Sequence, residues 1–545
     1  MTGEKERHTP KSRVQEKTHK AVITVGVCVA MAGIFFPAWY QPSWLFFATF
    51  ILMGAVSVWR YPWIALLLFI ASLPHEIVSM TPTEGLSFRP YQAMAVLLAV
   101  QIVQWFLIDK MAMKKIKRHL TWLDLLPALF AVGAVVASIV GDMSAKENVK
   151  DMLIALSFPF LYYTTRLILI QQEEKQKDGK EERKEKILTA VVAVMVVSAV
   201  VSVIIGVAQN ILFQSGAESF ATMPGRANAF FSEPNWLGTF LSLAVAIIVI
   251  GLWDSLNKKD EIKKTIVYSG VLTILMVGLL ITVTRSAWLA VGGACAWLAV
   301  LILFSTIKNK KSKIISIKDL AKTATIVTLS TALAVILVLQ TPLTSFDLFG
   351  RATSTAGYQT ITVSCEKPTE LPRQIKEVGD LTQYNCRHIN LEEIQEEKNL
   401  GKFVTRVDRS DPSINVRKGI YQETVDVLKE KWLTGVGWGN SSAIFGTDSR
   451  GAALNASNIF LETWVSGGFV SVIAIILLFI VIAIRSTKNF FSAKSVSEKM
   501  IGLGVSISVI AILVPNMFNA GIFLGFMWAL FAVWVWLVEK PENKE

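Results

Sequence analysis

Four arginine residues lie where each, taken singly, could be an interfacial anchor, but where together they suggest a functional role. Arg226, Arg285, Arg351 and Arg417 lie in or beside links between long apolar runs, and the first two have no other basic residue nearby. A guanidinium group is a planar fork of donors that binds phosphate oxygens in pairs. In a tight apolar turn such a group is costly unless a ligand or solvent compensates it. The four arginines therefore predict an anion site, and a lipid-linked pyrophosphate suits such a group.

Other motifs for catalysis are missing from the sequence. There is no Asp-x-Asp pair, no His/Cys cluster with metal spacing and no Gly-x-Ser-x-Gly, so we expect neither a metal nor a cofactor. The segment Gly435-Val-Gly-Trp-Gly439 resembles a phosphate loop only superficially, because it follows a predicted helix rather than a strand. Its position favours a helix stop and a turn toward the membrane.

The elements that position these residues are apolar. Hydrophobic residues make up 52% of the 545 residues, and the mean hydropathy is +0.48. The composition predicts an all-α, polytopic membrane protein with about 12–14 transmembrane helices and one large extracytoplasmic loop that contains helices. The candidate runs cover residues 21–40, 44–59, 61–75, 90–109, 122–141, 150–170, 187–213, 235–253, 265–284, 286–306, 322–341, 457–484, 499–516 and 519–538.

The basic residues indicate the orientation. The net charge of +12 is concentrated in alternate links between runs, which by the positive-inside rule lie in the cytoplasm. This pattern is a topology signal and not a nucleic-acid footprint. We read the first run as an uncleaved helix rather than a secretory signal. The predicted order is a cytoplasmic tail at 1–20, helices 1–11 within 21–341, an extracytoplasmic loop at 342–456, helices 12–14 within 457–538 and a cytoplasmic tail at 539–545.

The loop has two parts. Residues Thr353–Lys402 are polar and are predicted to be decoration, with a short helix near Leu391–Leu400. The stretch Asp411–Trp432 predicts an amphipathic helix. Arg417 projects from the middle of its apolar half, so it either meets an anion there or reaches water or a local carboxylate. The apolar half comprises Val416, Ile420, Tyr421, Val425, Val427, Leu428 and Trp432.

Two of the four cysteines, Cys365 and Cys386, lie in this loop. An oxidising exterior permits a disulfide between them, worth about 3 kcal/mol on the chain-entropy estimate. Two free thiols are the alternative. Cys28 and Cys295 fall inside apolar runs, where they are expected to be small packing residues.

The motifs around the loop resemble the O-antigen ligase and O-antigen polymerase superfamily over roughly residues 226–484. The similar segments are Arg226 with Pro234-Asn235, Thr284-Arg285-Ser286-Ala287, Arg417 with Tyr421, Trp432-Leu-Thr-Gly-Val-Gly-Trp-Gly-Asn440, and Asn455-Ala-Ser-Asn458-Ile-Phe-Leu-Glu462 with Gly467-Gly468. The resemblance implies a GT-C-like fold in the plasma membrane. The basic links and the even number of runs predict that both termini are cytoplasmic.

The same resemblance implies a metal-independent, inverting glycosyltransferase of surface polysaccharide biosynthesis. Such an enzyme moves a glycan from an undecaprenyl-pyrophosphate carrier to a hydroxyl of a glycan, lipid or protein acceptor. The implied pyrophosphate ligands are Arg226 and Arg285, assisted by Arg417. Further candidates are Glu462 for catalysis and Arg351, Asn235, Ser457 and Asn458 for substrate binding.

One position departs from the family pattern. Ligases of the family have His-Asn before the Ile-Phe-Leu-Glu segment, and here the histidine position is Ser457. A serine cannot act unaided as a general base, which leaves a polymerase or another glycan transferase as open as a ligase. Glu462, Asp411 and His388 are candidate substitutes for the base. The alternative for Glu462 is a helix residue paired with an arginine.

Two other classes of protein remain as alternatives. A transporter or flippase of a lipid-linked or anionic substrate would place charges deep in several spans and would have repeated halves. Most spans here carry no charge, and Arg166 is an exception near a predicted cytoplasmic end. The remaining alternative is a membrane scaffold whose loop binds cell-wall polymer.

Overall fold

The structure is a computed structural model that describes residues 43–539, apart from gaps at 61, 79, 84–85, 142–144, 175–179, 224, 259–260, 309–316, 342, 345–347, 349–357, 377, 390–392, 411 and 448–453. Its helices are α1 (Ser43–Arg60), α2 (Pro62–Ser72), α3 (Pro90–Ile108), α4 (Ala112–His119), α5 (Leu126–Val140), α6 (Ala145–Glu174), α7 (Lys180–Gln214), α8 (Pro234–Asn257), α9 (Ile262–Ile281), α10 (Arg285–Lys308), α11 (Ile317–Gln340), α12 (Ile394–Asn399), α13 (Pro412–Lys431), α14 (Ser441–Phe445), α15 (Ile459–Ser492), α16 (Val496–Asn516) and α17 (Gly525–Val538). Its strands are β1 (Met80–Thr83), β2 (Leu86–Phe88), β3 (Tyr358–Cys365), β4 (Gln374–Ile375), β5 (Cys386–His388) and β6 (Phe403–Ser410).

Among the described residues, 10 helical segments are long and apolar enough to cross a membrane, and three shorter apolar helices accompany them. The chain is a polytopic helical membrane protein, as its composition predicts. Thirteen of the fourteen predicted runs coincide with these helices, and the first, 21–40, lies outside the described residues. The third run is only an 11-residue helix, α2.

The chain divides into two compact units. The first comprises Met1–Leu120, Phe160–Val201 and Glu539–Glu545. The second comprises Thr121–Pro159 and Ser202–Val538, and it holds helices α8–α17 and the polar loop. In the second unit α10 runs antiparallel to α16, since the Trp297 indole donates to the Ser506 hydroxyl at 2.9 Å while Gly293, one turn earlier, lies against Ile510.

Helix α15 reverses direction in its first third. Gly468 has non-helical angles, φ 73° and ψ −176°, inside this 34-residue element. The rings of Phe460 and Phe479 nevertheless lie 6.0 Å apart, whereas a straight helix would separate them by about 28 Å. The nine residues Ile459–Gly467 therefore pack back against the segment that follows. This hairpin brings the Asn455–Asn458 turn down among the helices.

The polar loop differs from the all-α prediction. It contains a four-stranded sheet in the order β4-β6-β3-β5, in which β3 pairs antiparallel with both β5 and β6. Alternation along β3 explains the sheet, because Ile361, Val363 and Cys365 point into one buried cluster with Val407. The stretch expected to be decoration therefore contains its own hydrophobic core. The helix predicted near Leu391–Leu400 is present as α12.

A disulfide joins the edge of this sheet. Cys365 and Cys386 are directly opposite in the β3–β5 register, and their Sγ atoms are bonded. The bond closes a segment with a sequence separation of 21, in a sheet whose small core would otherwise hold it weakly. Cys295 is a free thiol in α10, and Cys28 lies outside the described residues.

Helix α13 is present at the predicted place, but its docking face is narrower than the predicted half-wheel. The inward residues Ile420, Thr424 and Leu428 recur every three to four residues and are buried. Val425 and Trp432 were predicted on that face, and each is 51% exposed. Thr424 lies on the buried face instead of a larger apolar residue. It can be buried because its hydroxyl donates to the Ile420 carbonyl at 2.6 Å.

The last two apolar helices are distinct. The side-chain amide of Asn516 donates to the Ile512 carbonyl and its oxygen accepts from the Gly521 amide, while the Asn519 amide donates to Pro515. Both asparagines are buried and end α16 by satisfying backbone groups. The same turn presents Met517 and Phe518 to the candidate site.

Candidate functional site

Arg226 is held against the turn that precedes Arg285. Its Nε donates to the Thr282 carbonyl at 3.0 Å, and its Nη2 lies 3.4 Å from the Thr284 hydroxyl. The same Nη2 donates to Asn235 Oδ1 at 3.2 Å, near the start of α8. Residues more than fifty positions apart thus form one constellation, and the guanidinium is positioned by neutral oxygens on two sides.

The turn itself has an unusual backbone. Val283 has φ 53°, a left-handed conformation that a β-branched residue rarely adopts. In this conformation its carbonyl lies 3.5 Å from Arg226 Nη2, beside the Thr282 carbonyl. Strain of this kind costs about 1–3 kcal/mol and is found mainly where function requires a given geometry.

Gln209, on α7, fixes the loop that carries Arg226. The Gln209 Oε1 accepts from the backbone amides of Asn228 and Ala229 at 3.2 and 2.8 Å. Its Nε2 donates to the carbonyls of Phe220 and Ala229. Phe220 and Ala229 are also left-handed, at φ 52° and 46°. Sequence reasoning missed Gln209, although a buried amide at the end of an apolar run is a usable signal.

Arg285 is the first residue of α10. It directly follows in sequence the turn, Thr282–Thr284, that Arg226 contacts. Gly293 of α10 lies against Ile510 and Val514 of α16, and the two helices are antiparallel. From this contact α10 runs back eight residues to Arg285, and α16 runs forward six residues to its end at Asn516, just before Phe518. Arg285 and the end of α16 therefore share one end of the helix bundle.

Arg417 reaches the same end from the loop. Its guanidinium carbon lies 5.8 Å from the centre of the Phe518 ring, a cation–π contact. Within the described part of the chain no carboxylate forms an ion pair with Arg417, which disfavours a local carboxylate as its partner. A cation seated on an aromatic face keeps its donors available in other directions.

The Asn455–Asn458 turn lies next to the same residues. Asn458 caps α15, its Oδ1 accepting from the amides of Phe460 and Leu461, and its amide donates to the Met517 carbonyl at 3.1 Å. Ser457 precedes it in a left-handed conformation at φ 49°, with its backbone amide on Asn455 Oδ1. Ser457 is therefore a half-buried residue of a strained turn.

Glu462 is enclosed rather than open to a ligand. Its side chain is 0% exposed, Oε2 accepts from the Ala456 amide at 2.7 Å and Oε1 from the Ser466 hydroxyl at 2.7 Å. The Ala456 contact braces the Asn455–Asn458 turn against α15, and the Ser466 contact, within α15, fixes the carboxyl group. The geometry is that of a positioning residue.

The glycine-rich segment Gly435–Gly439, which follows α13, is hydrogen-bonded to α15. The Val436 amide donates to the Val465 carbonyl at 2.7 Å and the Phe469 amide to the Leu433 carbonyl at 3.0 Å, so the segment pairs with the reversal at Gly468. A side chain at Gly435, φ 69°, would collide with the Val465 carbonyl. Glycine at this position allows the two backbones to approach closely. This arrangement agrees with the predicted helix stop and turn after α13.

Trp438 extends from the same segment into an aromatic cluster. Its ring lies 5.5 Å from that of Phe130 and 5.2 Å from that of Phe523. Trp438 is buried and so anchors the end of the loop among the helices. The loop and the membrane helices of this unit are thus joined by packed side chains as well as by covalent links.

The remaining predicted residues lie elsewhere or outside the described residues. Arg351 and Asp411 fall in gaps of the structure. His388 lies on β5, opposite Val363 in the loop sheet, and burial together with the neighbouring Arg409 charge lowers its pKa. The described residues contain no group of three or more His, Cys, Asp or Glu side chains arranged to hold a metal ion.

Comparison with known proteins identifies the segment that contains most of this site. A family model described as O-antigen ligase matches residues 269–476, which include Arg285, Arg417, the Asn455–Asn458 turn and Glu462. Arg226 precedes the matched segment but is bonded to it through Thr282. No curated protein matches the chain. Over residues 269–476, the chain is similar to the O-antigen ligase superfamily.

Proposed function

We propose that this protein is a glycosyltransferase of the plasma membrane that moves a glycan from an undecaprenyl-pyrophosphate carrier to an acceptor hydroxyl at the outer face. The observation that carries the proposal is the contact of the Arg226 guanidinium with Thr282 and Thr284, directly before Arg285. The family match and the ten candidate spans support it. The basic links between spans support an extracytoplasmic position for this end of the bundle.

The proposed reaction needs little beyond fixed positive charge. The acceptor oxygen attacks the anomeric carbon from the face opposite the carrier, and its proton is released to water. The bond from that carbon to the pyrophosphate oxygen breaks, and the carrier pyrophosphate keeps the electron pair. Arg226 and Arg285 stabilise the charge that develops on the leaving oxygen, in a site whose dipoles are already oriented.

The other candidate residues have supporting roles in this proposal. Asn235 orients Arg226 through its Oδ1, and Arg417 approaches the pyrophosphate from the loop above Phe518. Ser457 and Asn458 line the acceptor side, with Glu462 bracing their turn. Arg351 is an additional cation for the donor.

Substitution of the arginines tests the proposal. Arg226→Lys, Arg285→Ala and Arg417→Ala variants should insert normally and reduce surface glycan assembly, by at least tenfold for the first two, in cells that lack the wild-type copy. Arg226→Lys retains the charge but loses the planar fork. Membrane abundance is measured in parallel by immunoblotting.

Lys418→Ala is the matched control for Arg417, since Lys418 is the next residue on α13 and is exposed. It should leave glycan assembly unchanged. Wild-type levels of glycan with Arg226→Lys and Arg285→Ala together would contradict the proposal. Movement of labelled carrier lipid across proteoliposomes without bond cleavage would support a flippase instead.

A further inference from the structure

Helix α4 is an amphipathic element that the proposed reaction does not use. Its eight residues, Ala-Met-Lys-Lys-Ile-Lys-Arg-His, follow the span α3 after a short turn. The residues Ala112, Ile116 and His119 are buried and recur at intervals of four and three, which places them on one face. Lys114, Lys117 and Arg118 are exposed and lie on the other face.

The buried face is firmly attached to the first unit. Ala112 and Ile116 pack in one cluster with Trp105 of α3 and Ile170 of α6. The His119 Nε2 and Glu174 Oε1 are 2.9 Å apart, and Arg166 Nη2 donates to the His119 carbonyl at 2.6 Å. These contacts prevent rotation of the helix and keep its basic face outward.

The charges on the outward face are not paired with any carboxylate that the structure describes. Lys115, between the two faces, is paired with Asp109 at 2.7 Å. Among the residues that the structure describes, no carboxylate forms an ion pair with Lys114, Lys117 or Arg118. Within the described residues, the face therefore carries three positive charges without a carboxylate partner.

Exposed apolar residues border these charges. Leu107 and Ile108, at the end of α3, are 79% and 82% exposed, and Met113 on α4 is 53% exposed. Such residues at the end of a membrane span face lipid acyl chains. The neighbouring cations then lie at the depth of the headgroups, which is the arrangement of an interfacial amphipathic helix.

We propose that Lys114, Lys117 and Arg118 form a binding surface for the headgroups of anionic phospholipids. Charge complementarity selects an anion, and the adjoining Leu107, Ile108 and Met113 select a lipid over a soluble partner. The surface belongs to the first unit and does not depend on the proposed transferase activity.

Lipid titration of the full-length protein in detergent micelles, followed by native mass spectrometry, tests this proposal. The probes are phosphatidylglycerol and phosphatidylcholine. The wild type should bind phosphatidylglycerol in preference. A K114Q/K117Q/R118Q variant should lose that preference, with a decrease in affinity of roughly fivefold per cation removed. Added salt should reduce the difference between wild type and variant.

A K367Q/K376Q/K398Q variant is the matched control. It removes the same charge from exposed lysines of the polar loop and should keep the preference for phosphatidylglycerol. Equal affinity of the wild type for both lipids would overturn the proposal. So would an unchanged preference in the α4 variant, or an equal loss in the control.

Discussion

Val283 illustrates how single residues define the candidate site. Of the five non-glycine residues with positive φ in the described chain, Phe220, Ala229 and Val283 are close to Arg226 in sequence or by contact, and Ser457 belongs to the turn beside Met517. Their strain is sustained by specific bonds, above all those of Gln209. The concentration of such residues around one end of the bundle supports a functional role there.

Glu462 provides a test at the scale of a residue. In Glu462→Gln one of the two acceptor oxygens becomes a donor. Either the Ala456 N–H loses its acceptor or the Ser466 hydroxyl must turn from donor to acceptor, and we expect a cost of about 1 kcal/mol. We expect a lower unfolding temperature by scanning fluorimetry and reduced glycan assembly. Glu430→Gln, on the exposed face of α13, is the control and should change neither quantity.

Glu397 predicts a dependence of stability on pH. The hydrogen bond from the Ser364 hydroxyl, with further bonds from Lys402 and Arg387, lowers the pKa of Glu397 from 4.5 to about 2. Because the pKa is lowered in the folded state, the stabilisation is complete above about pH 5 and is lost as pH falls toward 2. The loop sheet should therefore become more sensitive to protease across that range.

Ser364→Ala is the corresponding variant. It removes the largest cause of the low pKa, so its protease resistance should vary less between pH 5 and 2 than that of the wild type. Thr369→Ala, at another loop hydroxyl that bonds only a neighbouring carbonyl, is the control and should behave as the wild type. Identical pH profiles for Ser364→Ala and the wild type would argue against this account.

Two elements meet where the glycine-rich segment pairs with the reversal of α15. A side chain at Gly468 would collide with the Leu433 carbonyl, and its φ of 73° is unfavourable for any other residue. This joint connects α13, which carries Arg417, to the hairpin that carries Ser457 and Asn458. The relative placement of the two groups of site residues therefore depends on backbone packing at glycines.

Gly468→Ala should cost about 2–4 kcal/mol through strain and collision. We expect reduced membrane abundance or a clearly lower unfolding temperature. Gly419→Ala in α13 is the matched control, since nothing lies within 4 Å of the added Cβ and the helical backbone suits alanine. It should be neutral or stabilise by up to about 1 kcal/mol. A Gly468→Ala protein as stable as Gly419→Ala would refute the described reversal.

At the scale of the whole molecule, the distribution of basic links predicts the topology. Lys367 in the loop should lie outside the cytoplasm and Lys494, between α15 and α16, inside it. In a protein whose Cys28 and Cys295 are replaced by serine, a membrane-impermeant maleimide should label Lys367→Cys in intact cells. Lys494→Cys should react only after the membrane is permeabilised. Labelling of both in intact cells would exclude this orientation.

The sequence by itself determined the features that depend on neighbouring residues. Hydropathy over some twenty residues marks a span because each span satisfies its own backbone hydrogen bonds. The positions of the spans and of α13 were therefore predictable, as was the turn after α13 at Gly435. The sheet was missed because its strands are short and lie in a stretch that is polar on average, although Ile361, Val363 and Cys365 alternate.

Only the tertiary structure decided which distant residues meet. Arg226 contacts Thr282, Phe460 packs on Phe479 and Asn458 reaches Met517, and no local pattern encodes these pairs. Each depends on the reversal at Gly468 or on the left-handed residues of the turns, which are stabilised by contacts from other elements. Long-range packing selects one arrangement among many that the same local preferences allow.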